Sequence, residues 1–160
     1  MTPLELEITG RAPAGWRLCP TADRSRDTHI DFTLDSEPEQ RFVPRMTLSV
    51  LETVDPSISL ETHARRRRQI VYAADSGAQL RRGEFISRRD PAVYGQVIRF
   101  ETEVSPGERV AVMHSEILFD LMRSSKQILI FLLTAPELIF EDCARDFAVF
   151  VKSVVVQESG

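Results

Sequence analysis

The sequence has few cysteines and no long apolar run, and each of these shortages excludes a class of protein. Cys19 and Cys143 are its two cysteines, and a pair so far apart forms neither a disulfide framework nor a zinc motif. The longest apolar run, Ile128 to Ala135, is far shorter than the roughly 20 residues of a membrane-spanning helix. The first ten residues lack the basic and apolar regions of a secretory signal. We therefore predict a reduced, cytoplasmic protein that is not inserted into a membrane.

Charge is spread unevenly along the chain, whose formal net charge is -4. Residues 65 to 89 hold eight arginines against Asp75 and Glu84, and four of these arginines, residues 65 to 68, are consecutive. Because helical residues step by ~100°, four in a row fan around the helix and cannot form one face. We predict that these arginines mainly form the solvent-exposed face of the helix, with Arg67 at the boundary of the core. The alternative is that they form a basic patch for an acidic protein partner. An acidic chain of this kind does not favour nucleic-acid binding.

Alternating and helical apolar patterns predict one α+β domain over residues 1–160. A first helix begins after the N-cap Ser59 and stops before Gly77. A second begins at Thr134, with Pro136 in its first turn. Strands are predicted at 4–8, 29–34, 45–52, 78–87, 94–104, 109–120 and 125–134. The expected fold is an antiparallel sheet of six or seven strands flanked by helices.

Each predicted helix has an apolar stripe that would face this sheet. In the first helix the stripe is Leu60, Ala64, Ile70, Val71 and Ala74. In the second it is Phe140, Cys143, Ala144, Phe147, Phe150, Val151 and Val154. Cys143 is therefore predicted to be an inert core thiol, whereas Cys19 lies in a loop-like segment and is expected to be more accessible.

The register of the last three strands predicts which side chains share a face. Pro106 and Gly107 suit a type II turn that pairs Ser105 with Glu108. Arg99 then lies opposite His114, and Val97 opposite Glu116. A further turn centred on Met122 and Arg123 places His114 opposite Phe131 and Glu116 opposite Leu129. One sheet face then has an apolar floor with charged edges, which we call the predicted docking face: Val97, Arg99, Val112, His114, Glu116, Leu129, Phe131 and Leu133.

An apolar patch with a polar rim is typical of a protein-binding surface, and we predict a protein partner for the predicted docking face. The alternative is a small-ligand-binding protein or an enzyme that uses a pocket around His114. His114 and Glu116 would need a third ligand to hold a metal, which His29 or Asp31 supplies only if the topology brings them close. Ser115 points away from His114, and no glycine pair joins a strand to a helix. We predict a non-enzymatic protein without metal or cofactor.

Three groups of residues carry a family resemblance: Pro13, Gly15 and Trp16; Phe42, Pro44, Met46, Leu48 and Val50; and Phe147, Phe150, Val151, Ser153 and Val154. In this order, with four antiparallel strands before the last helix, the chain resembles the α/β/α sandwich superfamily of the Mog Ran-release factor, the PsbP photosystem subunit and the bacterial DcrB/Eag-type proteins. The resemblance implies a non-enzymatic binder. Its Eag-type branch implies a cytosolic homodimeric chaperone-adaptor that holds a hydrophobic segment of a secreted effector in a sheet groove.

Overall fold

The computed structural model describes residues 5–19, 28–35, 42–51, 55, 57–89, 91–121 and 127–159. These residues contain two helices, α1 (Leu60–Ala74) and α2 (Phe140–Ser153), and a short 3₁₀ turn (Glu137–Ile139) precedes α2. The strands are β1 (Glu5–Thr9), β2 (Trp16–Leu18), β3 (Thr28–Leu34), β4 (Arg45–Leu51), β5 (Gln79–Ser87), β6 (Val93–Ser105), β7 (Glu108–Asp120), β8 (Ile128–Pro136) and β9 (Val155–Ser159).

Seven strands form one antiparallel sheet in the order β2-β3-β4-β8-β7-β6-β5, while β1 and β9 pair as a separate two-stranded ribbon. On one face, α1 packs Leu60 and Ala64 into a cluster with Leu118 and Ile130. On the other, the ring of Phe150 in α2 lies 5.2 Å from Phe32 and 5.8 Å from Phe131. We call these faces the α1 side and the α2 side. The predicted α+β fold, an antiparallel sheet flanked by helices, is confirmed.

Helix α1 begins where the sequence predicted. Ser59 is its N-cap, and its side-chain oxygen accepts a hydrogen bond from the Thr62 N–H at 3.2 Å. The predicted apolar stripe is wrong at Ile70 and Ala74, which are both exposed, Ile70 to 71%. Ile70 lies within ~20° of the buried His63 around the helix axis but two turns further along, beyond the first half of α1 where its buried residues lie. His63 takes the buried position instead.

Helix α2 starts later than predicted, because the chain first completes β8. Thr134 pairs with Arg45 and Ala135 with Met113, so both residues are held in the sheet and Thr134 does not cap the helix. The predicted stripe is confirmed, since Cys143, Phe147 and Phe150 are buried. Burial, with the nearby carboxylates of Asp146 and Asp142, raises the pKa of the Cys143 thiol to about 11, and the thiol is therefore unreactive.

Two further expectations are corrected by the fold. Cys19 is 8% exposed and hence buried, because its N–H is bound at 2.8 Å to the Asp31 carbonyl along β3. The chain after α2 forms β9, which the sequence did not predict. Neither helix of the described ranges combines the length and the apolar character that crossing a bilayer requires.

Candidate functional site

The hairpin of β6 and β7 contains a β-bulge that the sequence did not reveal. The predicted turn is confirmed: Ser105 lies opposite Glu108, and Gly107 has a φ of 79°. Val104 is then an extra residue in β6, because the next pair is Glu103 with Arg109. A bulge of one residue shifts every later pair by one.

The predicted cross-strand pairs are therefore wrong. Arg99 lies opposite Met113, and Val97 opposite Ser115. Between β7 and β8 the shift is larger, with His114 opposite Thr134 and Ile117 opposite Phe131. The predicted turn at 122–123 lies outside the described residues. Because residues opposite each other share a face, His114 and Phe131 lie on opposite sides of the sheet.

The predicted docking face is consequently not one surface. Val112, His114 and Glu116 lie on the α1 side with Ile98 and Leu118, as their pairing shows. The other five residues lie on the α2 side: Val97, Arg99, Leu129, Phe131 and Leu133. The three from β8 are buried in the main core beneath α2. Val97 and Arg99, in β6, are the two members that lie beyond this covered region.

The uncovered part of the α2 side forms a groove over β5, β6 and β7, which we call the edge groove. Its volume is about 300 Å³. Within β6 and β7 it reaches Gly95, Gln96, Val97, Ser115, Glu116 and Ile117, and the edge strand β5 adds Arg82, Glu84 and Ile86. Gln96 and Glu116 point their side chains to the α1 side, where they bond to one another.

Apolar side chains line the middle of the edge groove, and ion pairs border it. Ile86 is 60% exposed and leans over Gly95, where an added Cβ would stand 2.8 Å from the Ile86 Cδ1 atom. On β5, the Arg82 Nε donates to the Glu84 carboxylate at 2.6 Å. On β6, the Arg99 guanidinium pairs with Glu137 in the 3₁₀ turn. The edge groove is therefore apolar at its centre and charged at its rim.

A buried polar cluster lies on the opposite side of the same strands, beneath α1. The Glu116 carboxylate, 1% exposed, is paired with the Arg67 guanidinium from α1. The Gln96 Nε2 donates to Glu116 at 2.8 Å and to the Ala64 carbonyl at 3.1 Å. The His114 Nε2 lies 3.5 Å from the same carboxylate, and its ring meets Phe100 edge-on. This cluster ties α1 to β6 and β7.

The charges and hydrogen bonds of the polar cluster stabilise an ionised Glu116 carboxylate, as in a structural ion pair. Burial by itself raises the pKa of Glu116, but the hydrogen bond from His114, the charge of Arg67 and the amide of Gln96 outweigh it and bring the pKa to about 2. A carboxylate with this pKa is ionised at neutral pH and is a poor proton acceptor there. Arg67 thus lies at the core boundary, as predicted, and has a specific partner.

The topology keeps the proposed third metal ligands away from His114. Strand β3, with His29 and Asp31, is separated from β7 by β4 and β8. Three strand spacings correspond to about 14 Å. Asp31 is instead paired with Arg45. Within the described ranges no group of three or more His, Cys, Asp or Glu residues is arranged to hold a metal ion.

Several residues of the edge groove and the polar cluster were missed from the sequence. Arg82, Glu84 and Ile86 share the face of Val97, but their place on it depends on the register of β5 with β6, which is interrupted at Arg81 and Ile86. Gln96 gave a clearer signal. It is a polar residue at an inward position of β6, between Tyr94 and Ile98, where an apolar side chain is usual.

Comparison with known proteins identifies similar folds but assigns no function to the residues of the edge groove or the polar cluster. No protein-family model matches the chain, and no curated protein matches it. It is similar in structure to LpqN, involved in cell envelope biogenesis of Mycobacterium tuberculosis, at 12% identity and a TM-score of 0.63 over 98% of this chain and 86% of LpqN. The Ran-binding protein Mog1p of Saccharomyces cerevisiae gives 11% identity and a TM-score of 0.59 over 97% and 96% of the two chains.

A third similar structure is the cyanobacterial PsbP protein CyanoP of Synechocystis sp. PCC 6803. It gives 15% identity and a TM-score of 0.58 over 95% of this chain and 92% of CyanoP. At such identities the likeness shows the fold alone, which is Mog1/PsbP-like. The DcrB/Eag-type branch that the sequence favoured is not among these three neighbours, so a special closeness to it stays a prediction.

Proposed function

We propose that this chain is a non-enzymatic protein-binding domain, and that the edge groove holds an extended segment of a partner protein. The observation that carries the proposal is the uncovered apolar strip beside α2. Ile86, Val97 and Ile117 supply its apolar side chains, and ion pairs on β5 and at the 3₁₀ turn supply its polar rim. An exposed apolar strip inside a charged rim is typical of interaction surfaces.

The form of the edge groove favours a polypeptide over a small molecule. Its volume of about 300 Å³ is at the lower limit of the roughly 300–1,000 Å³ of ligand pockets. One long side is the edge strand β5, whose residues 79 to 84 are all exposed, so the groove is open to solvent on that side. An extended segment can lie along such a strip, whereas a small ligand would keep much of its surface in water.

The alternative of a ligand pocket around His114 has less support. The side chain of His114 is 14% exposed and packs between Glu116 and Phe100 on the α1 side. The edge groove lies on the opposite side of the sheet. One structural neighbour is named as a Ran-binding protein, and this supports a protein as the partner class. A secreted effector as partner, a homodimer and a cytoplasmic location stay predictions from the family resemblance.

A matched pair of isoleucines tests the proposal. A library of random peptides displayed on phage is selected on the immobilised protein, and the affinities of enriched peptides are measured for two variants. Ile86→Asp puts a charge into the edge groove and is expected to weaken binding at least about tenfold. Ile70→Asp, on the outer face of α1 and similarly exposed at 71%, is expected to leave binding unchanged.

Both variants alter exposed side chains, so their circular dichroism and unfolding midpoints are expected to match the parent protein. If no peptide is enriched, or if enriched peptides bind the Ile86→Asp variant as tightly as the parent, the edge groove is not a binding site.

A further inference from the structure

We infer that the segment held in the edge groove is acidic and extended, and that it adds as a further strand to the free edge of β5. This inference rests on the proposed function and specifies the chemistry of the partner. Two independent features support it: the unpaired backbone of an edge strand, and the charge around that strand.

Strand β5 ends the seven-stranded sheet, and no described strand pairs with its outer edge. An edge strand leaves alternate backbone N–H and C=O groups without a sheet partner, and a second chain can add there. Irregularities at Arg81 and Ile86 interrupt the pairing of β5 with β6. The four residues between them, Arg82 to Phe85, keep a regular register and form the segment to which a strand can add.

The charge along this edge selects an acidic partner. Residues 79 to 89 contain four arginines and a single glutamate, Glu84. Glu84 is already paired with Arg82. The Arg88 guanidinium lies 4.2 Å from the centre of the Phe85 ring. For Arg81 and Arg89, the described part of the chain provides no acidic partner. Carboxylates spaced along an incoming strand would complement these cations, and apolar side chains at alternate positions would enter the edge groove.

Two other occupants fit this edge less well. A second copy that paired β5 with β5 would bring eight arginines and two glutamates together, and like charges placed opposite each other destabilise a strand pair. A single-stranded nucleic acid would also be attracted by the arginines of β5, but such ligands bind by stacking their bases on aromatic side chains. The residues that line the edge groove include no aromatic side chain on which a base could stack.

Three synthetic peptides that differ in one residue type test the inference. Each alternates valine with glutamate, serine or lysine, and binding is measured by fluorescence polarisation. The valine–glutamate peptide is expected to bind about tenfold more tightly than the valine–lysine peptide at low salt, with the valine–serine peptide between them, and the difference is expected to shrink as salt is added. Bound peptide is expected to protect backbone amides in Arg82 to Phe85 from hydrogen exchange.

A charge-reversed protein supplies the matched control. The double variant Arg81→Glu/Arg89→Glu is expected to prefer the valine–lysine peptide. Arg66→Glu, at an exposed arginine on α1, is expected to keep the original preference. A reversal at β5 without one at α1 identifies the edge as the source of the charge selection.

The outcomes separate this inference from the proposed function. If the three peptides bind equally and all lose affinity in Ile86→Asp, the binding groove stands and the acidic strand is wrong. The acidic strand is also wrong if peptides bind without protecting the β5 amides. If none of them binds and the phage selection also fails, both proposals are wrong. If a single-stranded oligonucleotide binds more tightly than the peptides, the occupant of the edge is a nucleic acid and the acidic strand is wrong. If the protein forms a dimer that dissociates in the double variant, the occupant is a second copy of the chain.

Discussion

Glu116 is an ionised carboxylate in the interior of the fold, and its environment decides whether it stabilises or destabilises the protein. An isolated buried charge costs several kcal/mol. Here the charge meets an arginine from α1 and an amide from β6, and a histidine lies nearby on β7 itself. Its pKa of about 2, below the ordinary 4.5, means that the folded state favours the ionised form.

This pKa predicts a loss of stability in acid. A carboxyl group whose pKa is lower in the folded state stabilises the protein above its unfolded pKa, and the stabilisation disappears as pH falls towards the folded pKa. For Glu116 the window lies between pH 4.5 and about 2. A difference of this size corresponds to about 3 kcal/mol at neutral pH. Urea unfolding of Glu116→Gln is expected to give a lower free energy of unfolding at pH 7 and a shallower pH dependence below pH 4.5.

Glu7→Gln removes a carboxylate at an exposed position of β1, outside the polar cluster, and is the control, which is expected to keep the parent's free energy of unfolding at pH 7. If Glu116→Gln and the parent show the same slope between pH 4.5 and 2, Glu116 does not carry the acid sensitivity.

At the scale of elements, α1 shows how one run of identical residues divides by position. The sequence predicted that four consecutive arginines cannot share a face, and in α1 the neighbours Arg66 and Arg67 point in different directions. Arg67 reaches the buried carboxylate of Glu116. Arg66 is exposed, and the described residues offer it no acidic partner. The two side chains are chemically identical, so their effects on stability report position alone.

Alanine substitutions compare the two arginines directly. Arg67→Ala leaves Glu116 without its main counter-charge, and we expect a loss of about 2 kcal/mol in the free energy of unfolding. This is below the ~3–5 kcal/mol typical of a fully buried pair, because about a third of the Arg67 side chain is exposed. Arg66→Ala is expected to change stability by less than about 0.5 kcal/mol. Equal losses in chemical denaturation would mean that the ion pair with Glu116 contributes nothing measurable.

Most elements could be predicted from sequence because their signals are local. Ser59 before an apolar stripe is enough to start α1, and Pro106 with Gly107 is enough to form the hairpin turn. The start of α2 was misplaced because Thr134 and Pro136 resemble a helix start, yet the neighbouring strands β4 and β7 hold that segment as β8. Strand β9 was missed because its partner is β1, at the far end of the chain.

The predicted site failed where the signal is not local. Nothing in the residues around Val104 marks it as a bulge, because valine is an ordinary strand residue. Counting residue pairs outward from the turn without this extra residue shifts every pair by one. The side chains of β7 are then assigned to the wrong side of the sheet relative to those of β6. His114 and Glu116 were placed with Val97 and Arg99, although the sheet lies between the two pairs.

At the scale of the whole molecule, the edge groove follows from the relative sizes of sheet and helix. Seven strands span about 29 Å from first to last. A helix with its side chains is about 10–12 Å wide, so one helix covers two or three strands. Helix α2 packs on β8 and reaches β3 through Phe150. The strands beyond β8 on that side therefore lie largely outside its cover, and the edge groove is formed there.

The two sheets are expected to differ in local stability. Central strands β4 and β8 are paired on both sides and contribute to the main core. In the ribbon of β1 and β9 each strand has one partner. We expect amides of the ribbon to exchange with deuterium at least about tenfold faster than those of β4 and β8, because the ribbon can open without the core. Equal exchange rates, measured by NMR, would show that the ribbon opens only when the whole fold does.

The extra residue at Val104 also restricts how the β6–β7 hairpin can change in length over evolutionary time. Deletion of a single residue beside Val104 would shift the register by one, so that Gln96 no longer faces Glu116 on the α1 side. The residues of β6 that line the edge groove would then no longer share a side with those of β7. Losing or gaining residues in twos leaves every side chain on its own side, because strand geometry repeats every second residue. Descendants of this chain are therefore expected to lengthen or shorten the hairpin in even steps.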